Sequence, residues 1–226
     1  MHARAEQAAD LRDTVVILLA LAAGAVDAIS FFGLGGAFAA NMTGNVVLLG
    51  AVAGGFTHAL LRSGAALVGY VVGAYAAARW VRQGREGLWS GPMTRGLLVI
   101  AAAEVCVLVA WLAADTRPGL AGQAAMIGVF ALAMGAQGAL AHRLGLGGVT
   151  TTYVTGTLTG FVDELATDSG SGRNRAQRLS MVLALAVGAG FASLLVFQAR
   201  EAAAFLPPAL TIAAVFLAGS YRGSRE

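Results

Sequence analysis

The sequence predicts an all-α polytopic membrane protein: six transmembrane helices, two short re-entrant or broken motif helices, and an inverted internal repeat. Three observations carry that expectation. Several apolar runs reach the ~20 residues that a helix needs to cross a ~30 Å hydrocarbon layer. One glycine-rich motif occurs twice at a fixed separation. The arginines, which are the only Lys or Arg residues in the chain, fall between the apolar runs and report orientation.

Composition sets the class. The 226 residues are 58% hydrophobic and 12% charged, against about 25% charged in soluble domains. Mean hydropathy is +0.73. No polar stretch is long enough for a second domain, so residues 1–226 read as one membrane domain built from two repeats, about 14–114 and 121–220. The formal net charge of +3 comes from loop arginines and not from a basic face, so nucleic-acid binding is not expected. Cys106 is the only cysteine, which leaves no internal disulfide and no cysteine-based metal cluster. No cofactor and no metal site is read. The N-terminal stretch is mixed in charge, and the apolar run after it lacks a small-residue cleavage site, so a cleaved signal peptide is not expected.

The elements follow in order. Segment one, residues 14–34, is apolar except for Asp27. Segment two, 37–55, carries Asn41, Thr43 and Asn45. Segment three, 59–80, contains Gly69 and Gly73, a GxxxG step that permits close helix contact. A basic loop with Arg79, Arg82, Arg85 and Arg95 follows. Segment four, 96–114, holds Glu104 near its middle, and the turn at 115–119 divides the halves. Segment five is 121–142 and segment six 149–162. A polar loop at 163–178 leads to segment seven, 179–197. Segment eight follows Pro207-Pro208 and ends near residue 220; its start extends back to Ala202 if the prolines sit in its first turn.

The two halves repeat. Gly33-Leu34-Gly35-Gly36 returns as Gly145-Leu146-Gly147-Gly148, and Thr43-Gly44 returns as Thr155-Gly156, each 112 residues later. Gly24-Ala25-x-x-Ala28-Ile29 returns as Gly135-Ala136-x-x-Ala139-Leu140, and Val72-Gly73-Ala74 as Val187-Gly188-Ala189. Asp27 falls opposite Gly138, so the second half lacks that acid. A fixed period of this kind governs the architecture.

Segment six, 14 residues or about 21 Å of helix, is short for a span, and segment two is polar in its middle. With all eight segments crossing and the N-terminus inside, nine arginines lie inside and six outside. With segments two and six dipping in and returning, only Arg62, Arg117 and Arg200 lie outside and the other twelve inside. The positive-inside rule favours the second arrangement, with both termini cytoplasmic. Three crossings per half then place the halves in opposite orientations, as in many transporters.

The candidate site follows from polar groups at membrane depth. Asn41, Thr43, Gly44 and Asn45 of the first motif, and Tyr153, Thr155, Gly156 and Thr157 of the second, are expected to line a central substrate site. The rival reading makes the same Asn and Thr groups helix-to-helix glue, at ~0.6 kcal/mol per bond. Asp27 and Glu104 are the acids in mid-span, and a central Asp costs ~2.5–3.5 kcal/mol to insert. Acids retained there point to proton or ion coupling. No Lys or Arg occurs mid-span to pair with them, which favours protons, cations or neutral solutes over anions.

Gly-Ala-Val-Asp-Ala-Ile-Ser-Phe from Gly24, followed by Gly-Gly-Ala-Phe-Ala-Ala-Asn-Met-Thr-Gly-Asn to Asn45, resembles the YoaK-like bacterial inner-membrane proteins, a family of unknown function. The paired Thr-x-x-x-Thr-Gly-Thr-Leu at 151–158 is also similar to that family. The resemblance covers most of the chain. It implies a multi-spanning protein of the bacterial inner (plasma) membrane and carries no reaction or substrate.

The expected function is a small-solute or ion transporter or channel, with the lipid bilayer and an unknown small solute or cation as partners and a homo-oligomer left open. The alternative is a non-transporting membrane partner or assembly protein. An enzyme is not expected, because the chain has no His-Glu-x-x-His, Gly-x-Ser-x-Gly or Gly-x-Gly-Asp pattern.

Overall fold

The computed structural model describes residues 2–82, 91–143, 154–167 and 172–223, and every regular element among them is helical. The helices are α1 (His2–Ala28), α2 (Met42–Gly50), α3 (His58–Val81), α4 (Gly91–Ala113), α5 (Leu120–Arg143), α6 (Val154–Ala166), α7 (Gly172–Gln198), α8 (Arg200–Ala203) and α9 (Leu206–Gly223). Six stretches are long and apolar enough to cross a membrane: Arg12–Gly33, His58–Val81, Gly91–Ala113, Leu120–Arg143, Asn174–Gln198 and Arg200–Gly219. Between the first two lies the shorter apolar helix Met42–Gly54.

Local chemistry explains several boundaries. Pro207 and Pro208 occupy the first turn of α9, where a missing N–H removes no helical bond, so this helix starts at Leu206. Residues 200–203 form a separate turn, α8. Pro92 sits likewise in the first turn of α4. The polar stretch expected as a loop up to residue 178 is helical from Gly172, because α7 continues through Arg175 and Gln177 beyond its apolar span. The sixth segment was expected at 149–162; the described helix is Val154–Ala166, and residues 144–153 lie outside the described residues.

Glycines set the closest packing. A Cβ on Gly24 of α1 would run into the Leu185 carbonyl of α7 and lie 3.0 Å from Ala189 N; on Gly135 of α5 it would run into the Tyr70 carbonyl of α3 and lie 3.0 Å from Ala74 N. The reverse contacts match too. Gly188 of α7 abuts the Leu21 carbonyl of α1, and Gly73 of α3 abuts the Leu132 carbonyl of α5. Without a hydrophobic drive between helices in lipid, such backbone approach supplies the van der Waals contact that holds them. The α1–α7 and α3–α5 pairs therefore use the same small residues in the same way.

Helix directions follow from side-chain contacts. Gln177 donates to Asp13 Oδ1 at 2.7 Å, and the Phe32 and Phe197 rings lie 5.5 Å apart, so α1 and α7 run in the same direction. Arg62 bonds Gln123, and Arg143 donates to the Arg82 carbonyl at 2.8 Å, so α3 and α5 also run together. Arg200 donates to the carbonyls of Gly33 and Thr116, each at 2.9 Å, which puts the far end of α1 beside the α4–α5 turn. The α1–α7 pair thus runs opposite to the α3–α5 pair.

Two groups of helices result. In one, α1 packs on α7 and α9; in the other, α5 packs on α3 and α4. They meet along α4 and α9, with a narrower contact between α1 and α5. The core is dominated by alanine, with Trp111, Phe130, Ile127 and Leu34 as its large members.

Candidate functional site

The first motif is a turn, an irregular strip and a short helix. After α1 the backbone widens into a π-helical turn over Ile29–Gly33, closed by Leu34 N–H to Ile29 O at 3.1 Å and Gly36 N–H to Phe31 O at 2.8 Å. Gly35 and Gly36 then take φ of 97° and 91°, a region open to glycine and strained for side chains. The chain reverses there. Residues 37–41 run back along α1 until the N–H groups of Ala39 and Ala40 reach Asp27 Oδ1, at 2.9 and 2.7 Å. Asp27 lies six residues before Gly33, so the strip turns back alongside α1 by more than one helical turn.

Three polar side chains hold this shape. Asn41 caps α2, its Oδ1 accepting from Gly44 N–H at 3.1 Å. Asn45 is fully buried; its Oδ1 accepts from Phe38 N–H at 3.0 Å and its Nδ2 donates to Phe38 O at 2.6 Å. Phe38 stacks on Phe31 at 4.8 Å between ring centroids. Asp27, half-buried, ties the strip to α1. Non-helical backbone inside a membrane must find partners within the protein, and these residues provide them. Thr43 is exposed and Gly44 half-buried.

The structure joins Asp27, Asn41, Thr43, Gly44 and Asn45 into one unit. The second motif's Thr155, Gly156 and Thr157 lie in α6, which packs on α7, whereas α2 packs on α3. Thr157 is buried like its counterpart Asn45, at 2% and 0% exposure, while Thr155 is exposed. Met42–Gly54 and Val154–Ala166 are both 13 residues long and stand 112 residues apart. Tyr153 lies outside the described residues.

Glu104 stands apart from both motifs. It is completely buried on α4 and faces Thr211 of α9, also completely buried. The two are close enough to interact but outside hydrogen-bond geometry: among the described residues, both carboxyl oxygens of Glu104 and Thr211 Oγ1 have no hydrogen-bond partner. This pair bridges the seam between the two groups of helices.

Sequence reasoning did not single out Thr211, Arg200 or Trp111. Thr211 is a lone hydroxyl in an apolar run, and that interruption was the available signal. Arg200 is read from sequence only as a loop charge. In the fold it lies 5.0 Å from the Trp111 ring centroid, bonds the Gly33 and Thr116 carbonyls, and accepts from Trp111 Nε1 on its own carbonyl at 3.0 Å. It fastens one end of the seam.

Comparison with known proteins agrees with a membrane protein. The chain is 33% identical over 160 residues, 70% of its length and 69% of the relative's, to the UPF0700 transmembrane protein YoaK of Bacillus subtilis (strain 168). No solved structure matches it. The model of the family described as "Protein of unknown function (DUF1275)" matches residues 15–218, and with six helices able to span a bilayer this chain is a multi-pass membrane protein belonging to that family.

Proposed function

We propose that the protein is a small carrier or channel for a neutral solute or cation, built as an inverted repeat whose two helix groups move against one another. The equivalence of the glycine contacts carries this reading. Gly24 with Leu185 and Ala189, and Gly135 with Tyr70 and Ala74, are one arrangement used twice in oppositely running pairs. Inverted repeats of this kind underlie alternating access in many transporters, with broken or re-entrant segments entering from opposite faces. The strip that turns back to Asp27 is one such segment, and α6 is its counterpart at the other face.

The arginines orient the molecule. Arg62, Arg117 and Arg200 belong to the face where α1 ends, and Arg12, Arg79, Arg82, Arg95, Arg143, Arg175 and Arg178 to the other face. By the positive-inside rule that second face, with both termini, is cytoplasmic, and the bacterial inner membrane is the compartment this orientation fits.

The test has two arms. Single cysteines replacing His58 and Asn174, in a Cys106→Ser background, should be labelled by a membrane-impermeant maleimide from opposite sides of the membrane. Purified protein in vesicles should pass protons, a monovalent cation or a small polyol above the empty-vesicle rate. Labelling of both positions from one side overturns the inverted repeat, and vesicles no leakier than controls to all three probes overturn transport.

A further inference from the structure

Glu104 and Thr211 are the polar side chains that face each other across the seam where the two helix groups meet. Three facts define the place. The pair bridges α4 and α9, the main contact between the groups. Both side chains have zero exposure. Glu104 Oε1 and Oε2 and Thr211 Oγ1 are without hydrogen-bond partners among the described residues.

We propose that Glu104 and Thr211 form a proton-binding site, loaded in this conformation and emptied when the α4–α9 seam opens; this rests on the two-group carrier reading. A carboxylate sealed at this depth, with one neighbouring hydroxyl and no counter-ion among the described residues, pays a desolvation cost of several kcal/mol. The neutral carboxyl avoids that cost, and the Thr211 oxygen is the neighbouring acceptor for its O–H. The hydroxyl accepts that proton and still has its own to donate. Charged groups do not offer an alternative partner. Arg95 lies nine residues from Glu104 on α4, more than two turns away. The charged groups of the neighbouring α3, α5, α8 and α9 lie toward the helix ends, and several are engaged there: Arg62 on Gln123, Arg143 on Arg82, and Arg200 on Gly33 and Thr116.

The donor set argues against a divalent metal ion. Glu104 and Thr211 present three oxygens, whereas Ca²⁺ takes six to eight and Mg²⁺ a full octahedron. Neighbouring main-chain carbonyls of α4 and α9 are engaged in helical bonds. A proton needs only one oxygen and one acceptor.

Asp27 has a different job. Its Oδ1 already accepts from Ala39 and Ala40, so that oxygen is committed to holding the re-entrant strip in place. The proton carrier is therefore the acid that lacks partners.

Infrared difference spectroscopy of the full chain in lipid vesicles, stepped in pH, tests the assignment. A protonated-carboxyl C=O band should be present at neutral pH, be lost in Glu104→Gln and persist in Asp27→Asn. Thr211→Val should move the band to higher frequency by removing its acceptor, and Thr211→Ser should leave it in place. Glu104→Asp, which keeps a carboxyl one methylene shorter, should shift the band without removing it and covers the case in which Glu104→Gln fails to fold. A band unchanged in Glu104→Gln or in Glu104→Asp, or no such band in the parent protein, overturns the proposal. A pH-sensitive dye inside the same vesicles separates the two readings: a band that behaves as expected without proton movement refutes the carrier and leaves the proton site standing.

Discussion

Adding one methyl group at Gly188 tests the packing on which the two-group architecture depends. A Cβ there would overlap the Leu21 carbonyl oxygen and lie 2.8 Å from its carbon and 2.9 Å from Leu21 Cα. Ordinary contact begins near 3.4 Å, so α1 and α7 must separate by at least about 0.5 Å locally, and more to clear the oxygen. A gap of about 0.5–1 Å forfeits a quarter to a half of each affected dispersion contact, and overpacking of this type costs ~1–3 kcal/mol. Gly188→Ala should therefore destabilise the protein by that amount, and Gly73→Ala, against Leu132, should do the same on α3–α5. The control lies two residues away. Gly190 has no heavy atom within 4 Å of a built Cβ, so Gly190→Ala should gain the helix-propensity difference, ~0.8–1.0 kcal/mol at most. Reversible unfolding in mixed micelles, followed by tryptophan fluorescence, reads all three. Gly188→Ala behaving like Gly190→Ala would refute the close α1–α7 approach. Unequal losses at Gly188 and Gly73 would refute the equivalence of the two pairs.

Three further outcomes follow from the motif and the seam. Asp27→Ala leaves the N–H groups of Ala39 and Ala40 without an acceptor, at ~1–3 kcal/mol each; hydrogen exchange over residues 37–41 should accelerate while α5 stays protected, and unchanged exchange refutes the tether. Asn41→Ala removes the cap on α2 and should cost ~0.5–2 kcal/mol, with Asn41→Ser recovering most of it in the same unfolding assay. Arg200→Gln and Trp111→Phe should be non-additive, with a coupling of ~0.5–2 kcal/mol for a partly desolvated cation over an indole; additive effects would mean that this contact does not clamp the seam.

The helix inventory was legible in the chain because a bilayer imposes length and apolarity on each span locally. The six long runs correspond to the six spanning helices, and the short second run to Met42–Gly54. The motif was legible as well, since Gly35 and Gly36 must be glycine to adopt positive φ. Its internal wiring was not. Nothing in the spacing shows that Asn45 uses its amide on Phe38, or that Asp27 grips residues 39 and 40. Those bonds exist only once the chain doubles back.

By itself the sequence determined how many times this chain can cross a membrane, which residues recur, and that Asp27 and Glu104 are acids in apolar surroundings. Partnership between helices was decided by the tertiary structure. Gly24 reads as one small residue among many until Leu185, far along the chain, is brought against it. Glu104 and Asp27 look alike in sequence and differ in the fold because one faces a lone hydroxyl across a seam and the other meets two backbone donors. The physical reason is that insertion depends on composition within a run, whereas packing and hydrogen bonding depend on geometry between runs, which a linear pattern does not encode.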